Sequence, residues 1–321
     1  MGRGLRNSLV GRAGDRPAKL AFRVINTKWI KQRLDRRYGR AVRAHVTALP
    51  ELSLTDRTIL DGLIERGFYV TSLAELGLQG SAGMFEQAVR VFDGCAATAR
   101  AQALAGREFT CVAPETCAQH PEIFRWGLND RLLDIAEAYI GLPVAYDGMT
   151  MIYTVADSRE VATRQWHRDR EDRKMLKVAV YCNDVGDGGG AFQIIPRLDP
   201  SQGGDAGYRY AGGSEEELSA LLGADYRRDI VTCEGLAGTV IFADTARYFH
   251  RGEPVHTRDR QAIFYSYFAR QTRHPFFCSR SGLDERQLAD MVRGMSVRQQ
   301  ASVLWRKALP LLAKLVPPAP V

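Results

Sequence analysis

Within Gln165-Trp166-His167-Arg168-Asp169 an imidazole and a carboxylate stand two residues apart. Side chains on an extended run alternate with a period of two, so His167 and Asp169 share a face and can address one ion together. A histidine and a carboxylate are two of the three donors in the facial arrangement that holds non-haem Fe(II) and leaves positions open for other ligands. The same tripeptide is also an ordinary strand end with charged residues, so a third ligand has to come from elsewhere in the chain.

A strand returning beside the first could supply it. Thr239-Val240-Ile241-Phe242-Ala243-Asp244 reads as such a strand, and His250 follows it closely. His45, His120, His256 and His274 compete. The first two fall in a helical half, where a structural or exposed histidine is the plainer reading, while His256 sits in a polar connector and His274 follows the last strand. Ten residues beyond His250, Arg260 enters the apolar run Gln261-Ala262-Ile263-Phe264-Tyr265, where a guanidinium suits a two-pronged grip on a carboxylate. Arg258 lies in the connector, and Arg251, next to a ligand on a strand, should face the other way. Arg164, Arg168, Arg170, Arg173 and Lys174 crowd the first motif with Glu171 and Asp172. They form either a solvated loop of mixed charge or a basic rim for an anionic small-molecule substrate.

The elements that must position these residues change character near Val144. Before it, apolar stripes at helical spacing run from Asp56 to Arg66, from near Ser81 to Gly106, and from about Asp130 to Tyr139, with Phe68-Tyr69-Val70 as a strand. After it come short runs rich in Val, Ile, Tyr, Phe and Thr. The expected strands are 144–155, 164–167, 175–182, 191–195, 230–233, 239–242, 248–251 and 261–268. This texture predicts a mainly β fold with flanking helices, and eight short strands suit a double-stranded β-helix, the jelly-roll or cupin-like core. Gly186 to Gly190 lacks the Gly-Lys-Ser/Thr ending of a phosphate loop and reads as a hairpin turn. The polar, glycine-rich stretch near 197–228 carries one helix capped by Ser214 and reads as a lid.

Composition limits the alternatives. Residues 1–46 hold 13 of the 44 basic side chains against Asp15 and Asp35, so the net charge of +7 belongs to this stretch and the remainder is slightly acidic. The expected layout is a basic N-terminal extension over 1–50, a β domain over 51–272 and a C-terminal helical segment over 273–321. Six scattered cysteines suggest neither a zinc knuckle nor a disulfide framework and fit a reducing, cytoplasmic setting. No run reaches the roughly 18–20 apolar residues of a membrane span. The arm fits an anionic surface, but no aromatic-interleaved basic platform accompanies it, which disfavours nucleic acid. Trp305, Leu309, Leu311, Leu312 and Leu315 are expected to dock on the β domain.

The order of these features resembles the phytanoyl-CoA dioxygenase-like family of Fe(II)/2-oxoglutarate oxygenases over about residues 56–270. The resemblance rests on Glu65-Arg66-Gly67-Phe68-Tyr69-Val70, on Trp166-His167-Arg168-Asp169 and on Gly189-Gly190-Ala191-Phe192-Gln193-Ile194-Ile195-Pro196. Gly238-Thr239-Val240-Ile241-Phe242 leading to His250 and Arg260 completes it. It implies Fe(II) ligands at His167, Asp169 and His250, and Arg260 as partner of the distal carboxylate of 2-oxoglutarate. The implied activity couples decarboxylation of 2-oxoglutarate, to succinate and carbon dioxide, with hydroxylation by dioxygen of an unactivated C–H bond in a small molecule or a lipid or glycan precursor. Where family members often continue Pro-Gly-Ser-His, Pro196 is followed here by Arg197-Leu198-Asp199. Two other classes stand beside this expectation: an oxygenase of a macromolecule, nucleic acid or protein, and a cupin-like protein that holds metal without turnover.

Overall fold

The computed structural model describes residues 16–159, 162–199 and 213–317. Capping residues set the helix ends. Ser53 accepts the Asp56 N–H at 3.1 Å to start the helix Leu54–Arg66. Gly67 ends it at φ 80°, a left-handed conformation in which an added Cβ would collide with the ring of Tyr248. Nine strands follow among the described residues, in order: β1 (Phe68–Ser72), β2 (Thr110–Cys111), β3 (Val144–Thr154), β4 (Met175–Tyr181), β5 (Phe192–Ile194), β6 (Val231–Cys233), β7 (Thr239–Ala243), β8 (His250–Gly252) and β9 (Arg260–Ala269). They make a six-stranded sheet in the order β1-β7-β4-β9-β3-β2 and a three-stranded sheet in the order β6-β5-β8, antiparallel throughout.

Both faces of the large sheet are buried, and alternation along each strand sorts its side chains between two cores. Leu176, Val178 and Val180 of β4 point outward with Tyr265 and Tyr267 of β9, into a core shared with the helices Ser81–Leu104 and Asp130–Ile140. Three tyrosines stitch this layer together, because a buried hydroxyl needs a partner. Tyr146, Tyr265 and Tyr267 donate to the carbonyls of Phe124, Ile123 and Gly127 at 2.9, 3.1 and 2.7 Å. The opposite residues of β4, Ala179 and Tyr181, point inward and meet Phe192 and Ile194 of the small sheet. The site lies on this inner side.

Several expectations are corrected. Helical residues outnumber strand residues among those described, so the fold is two antiparallel sheets under a substantial helical layer rather than mainly β. Residues 164–167 form no strand: a turn of 3-10 helix, Ala162–Arg164, precedes a single bridge between His167 and His250. The cause is Arg164, whose guanidinium turns inward to Asp157 and to the carbonyl of Glu108. Gly186 to Gly190 makes a tight turn, with the Gly189 N–H donating to the Gly186 carbonyl at 2.8 Å, but not a hairpin, since β4 and β5 belong to different sheets.

In the insertion, Ser214 caps the helix Glu215–Leu222. Leu218, Leu222 and Tyr226 there pack on Trp166, Ile195 and Phe249. The part of the expected lid at 200–212 lies outside the described residues. At the C-terminal end Trp305 meets Phe268 edge-on at 5.2 Å and Leu309 joins it, whereas Leu311 and Leu315 stay exposed. Docking therefore holds for Trp305 and Leu309 and not for Leu311 and Leu315, while the side chain of Leu312 lies outside the described residues.

Candidate active site

Backbone pairing brings the two motifs together. His167 and His250 exchange N–H to carbonyl bonds at 3.0 and 2.9 Å, and the Asp169 N–H donates to the Thr245 carbonyl at 2.7 Å. The loop carrying Thr245 is held by buried Asp244. Its Oδ1 accepts from the N–H groups of Ala246 and Arg247 at 3.1 Å, and its Oδ2 from the Tyr139 hydroxyl and Arg247 Nε at 2.6 Å. Donor atoms of His167, Asp169 and His250 consequently all lie within 4.8 Å of one another. His250 Nε2 is 4.0 Å from Asp169 Oδ2.

The protonation states suit a cation. Burial holds both imidazoles below the usual histidine range, His250 well below it, so both are neutral at pH 7. Their Nδ1 atoms face the carbonyls of Gln165 at 2.8 Å and Tyr248 at 3.3 Å, which puts the ring proton there and leaves Nε2 as a donor pair. Burial pushes the Asp169 carboxyl up, but the charges of Lys177 and Arg280 outweigh it and hold the group well below the usual carboxylate range. Two neutral imidazoles and one ionised carboxylate are the donor chemistry of a facial non-haem Fe(II) site.

Around the triad lies a cavity of about 380 Å³, at the low end for small-ligand sites, whose lining includes Thr150, Ile152, Phe192 and Phe264. Arg260 lines it too. Its guanidinium is buried, with one Nη donating to the Gly190 carbonyl and the other 3.4 Å from Thr154 Oγ1, while Nε has no hydrogen-bond partner. The groups whose electrostatics act on it are Tyr181 and Arg164, and neither is a carboxylate. Gly252 makes room for it: a Cβ there would lie 2.8 Å from Nη1. Arg251 turns away from His250, as its place next to a ligand on a strand implies: its Nε donates to Gln193 Oε1 at 2.8 Å and its guanidinium stacks over Trp166 at 4.6 Å. Arg258 lies outside the lining.

His45 pairs with Glu137 at 2.8 Å, and His256 faces Ser158 at 3.0 Å, both away from the triad. Buried His274 accepts from Asn26 Nδ2 at 2.9 Å. The crowd of charges near the first motif is no solvated loop: Arg164, Arg168, Glu171 and Asp172 are buried. Arg168 meets Asp199 at 3.3 Å, and Glu171 pairs with Arg280.

Two site residues escaped the sequence reading. Lys177 places Nζ 2.5 Å from Asp169 Oδ2, and Arg280 donates from Nη2 to Asp169 Oδ1 at 3.0 Å. Lys177 left a signal, since it is the one charge in the otherwise apolar strand Met175–Tyr181 and alternates onto the inner face with Ala179. Arg280 left none, arriving from a segment more than a hundred residues downstream.

No family model matches the chain, and no curated protein matches its sequence. Among solved structures it is similar to EctD from S. alaskensis with 2-oxoglutarate and 5-hydroxyectoine, at 18% identity and a TM-score of 0.48, covering 71% of this chain and 81% of that one. It is also similar to the non-heme alpha ketoglutarate dependent epimerase SnoN from nogalamycin biosynthesis, at 14% identity and a TM-score of 0.40, covering 67% and 82%. The non-heme alpha ketoglutarate dependent carbocyclase SnoK from nogalamycin biosynthesis follows at 15%, 0.43, 68% and 87%. EctD has also been crystallised with bound Fe. These are distant likenesses, and the chemistry of the site rests on its own residues.

Proposed function

We propose that the protein is an Fe(II)/2-oxoglutarate-dependent oxygenase with a double-stranded β-helix core, hydroxylating a C–H bond of a small molecule or of a lipid or glycan precursor. The observation that carries this reading is one cavity holding both the His167, Asp169 and His250 cluster and a buried guanidinium, Arg260, that no carboxylate of the described residues neutralises. His167, Asp169 and His250 would hold the iron, and Arg260 the distal carboxylate of 2-oxoglutarate. The bound iron and cosubstrate would supply oxidation by dioxygen, with succinate and carbon dioxide as co-products.

The chain's own residues do the rest. The carbonyls of Gln165 and Tyr248 fix the imidazole tautomers, Asp244 fixes the loop that carries His250, and Arg280 orients Asp169. Arg168, Arg170, Lys177, Arg260 and Arg280 outnumber Asp169 and Glu171 around the cavity, which favours anionic ligands. Phe192, Phe264 and Ile152 limit water where the substrate would lie.

The test is turnover without substrate: purified protein with Fe(II), 2-oxoglutarate and air, followed by succinate release. Slow, iron-dependent succinate formation is expected, lost in His250→Ala. A protein that binds iron yet neither binds nor decarboxylates 2-oxoglutarate is the passive metal holder instead.

A further inference from the structure

The basic arm has an inner and an outer face. On the inner face Phe22 of the helix Arg16–Ile25 packs 4.8 Å from the ring of His274 and 5.7 Å from that of Phe277, and Phe277 lines the cavity. In the next helix, Lys28–His45, Asp35 turns inward and accepts from Arg173 Nε at 2.7 Å as well as from Arg273 Nη2 at 2.5 Å. The described part of the arm, from residue 16 on, is thereby fastened beside the cavity.

On the outer face Trp29, Arg33, Arg36, Arg40 and Arg43 recur at alternating steps of four and three, one stripe of the helix Lys28–His45. All five are exposed and share one recess, whose sole acid is the inward-engaged Asp35. Trp29 is 66% exposed, with Arg33 over its ring at 5.8 Å. Two pairs of apolar side chains are exposed on other helices of the two terminal segments. Leu20 and Val24, one turn apart, are 64% and 47% exposed, and Leu311 and Leu315, also one turn apart, are 80% and 76% exposed. Val316 packs into the same cluster as Ala18, Ala21, Phe22 and Ile25, so the two exposed pairs flank one anchor built from opposite ends of the described chain.

We propose that this face is a docking surface for an anionic phospholipid bilayer, on which the protein sits peripherally. Arginines at the headgroup level meet lipid phosphates, an interfacial tryptophan lies between water and acyl chain, and the leucines and Val24 enter the boundary. The exposed apolar residues decide between bilayer and nucleic acid. Against a polyphosphate chain Leu20, Val24, Leu311 and Leu315 would remain in water, whereas a bilayer buries them. The described residues include no helix long and apolar enough to cross a membrane. Combined with the oxygenase reading, this places the cavity where a membrane-borne, anionic amphiphile can reach it.

The experiment is binding of the full chain to vesicles of phosphatidylcholine alone and with phosphatidylglycerol admixed, followed by sedimentation and tryptophan fluorescence. Trp126, Trp166 and Trp305 are 5%, 7% and 3% exposed, so a blue shift and quenching by brominated acyl chains report on Trp29. Binding is expected to phosphatidylglycerol vesicles only, falling with salt and accompanied by the Trp29 shift. Each arginine contributes about fivefold to partition at an anionic surface, so Arg33→Gln, Arg36→Gln and Arg40→Gln together should lower it on the order of 100-fold. Leu20→Ser with Val24→Ser should lower it while leaving the salt dependence in place. Absence of binding to anionic vesicles, or binding with no change at Trp29, overturns the proposal. Tight binding to an oligonucleotide without vesicle binding assigns the face to nucleic acid instead. Neither iron nor turnover enters the assay, so its failure leaves the oxygenase reading standing, and absence of succinate release leaves the docking surface standing.

Discussion

Replacing Arg260 by methionine separates a cosubstrate anchor from a structural arginine, because the two roles predict opposite things. A guanidinium whose work is structural has partners that suffer when it leaves. Arg260 bonds only the Gly190 carbonyl and, at 3.4 Å, Thr154 Oγ1, and no carboxylate becomes an orphan on its removal. Loss of the carbonyl's partner costs about 1 kcal/mol, and exchanging a buried, unneutralised cation for an apolar side chain offsets it. The variant's melting temperature without ligands should therefore stay within a few degrees of the parent. Binding of 2-oxoglutarate should not. Two charge-assisted hydrogen bonds to its distal carboxylate contribute roughly 2–4 kcal/mol, so affinity should drop by about 30- to 1,000-fold with Fe(II) affinity retained. Anaerobic calorimetry of 2-oxoglutarate into the Fe(II)-loaded protein, beside thermal melts, reads both. Unchanged 2-oxoglutarate affinity would refute the anchor, and a large loss of apo stability would mark Arg260 as structural.

Three further perturbations test the same electrostatic picture. Lys177→Met removes the ammonium that contacts Asp169 Oδ2 at 2.5 Å and helps to keep that buried carboxyl ionised, so Fe(II) should bind about tenfold more weakly by chelator competition; unchanged or tighter binding would show that Lys177 competes with the ion for that oxygen instead. Gly252→Ala sets a Cβ 2.8 Å from Arg260 Nη1 and should weaken 2-oxoglutarate at least tenfold with metal binding intact, again by calorimetry. His274 is held down to about 3 by burial, which its bond to the Arg170 carbonyl does not offset. The unfolded chain therefore binds the extra proton first, and stability complete above about pH 6.5 is lost as pH falls from there toward 3, by about 2 kcal/mol at pH 5. Denaturant melts of the parent and His274→Phe across this range should converge at low pH, and parallel curves would dismiss His274 as the cause.

What the sequence disclosed and what it hid divide along the range of the interactions. Glycine stops and period-two alternation act over a few residues, which is why the helix stopped at Gly67, the strand beginning at Met175 and the shared face of His167 and Asp169 could be read directly. His250 could be named because a returning strand must end near the one it pairs with, although that pairing is a single bridge. The errors come from charges that the fold buries. Arg164, Arg168, Glu171 and Asp172 look like a solvated loop because charged residues rarely lie inside, yet each finds a partner inside the domain or across from the C-terminal segment. Arg280 belongs to the same network. It bonds Asp169 and Glu171 at once, and its backbone N–H donates to Asp147 Oδ2 at 3.1 Å. A buried carboxylate proposed to hold a metal has to stay ionised, and in this chain cations brought from β4 and from beyond β9 keep it so. The triad is thus legible as a local motif, whereas the charges that make it chemically competent exist only once the sheets have closed around it.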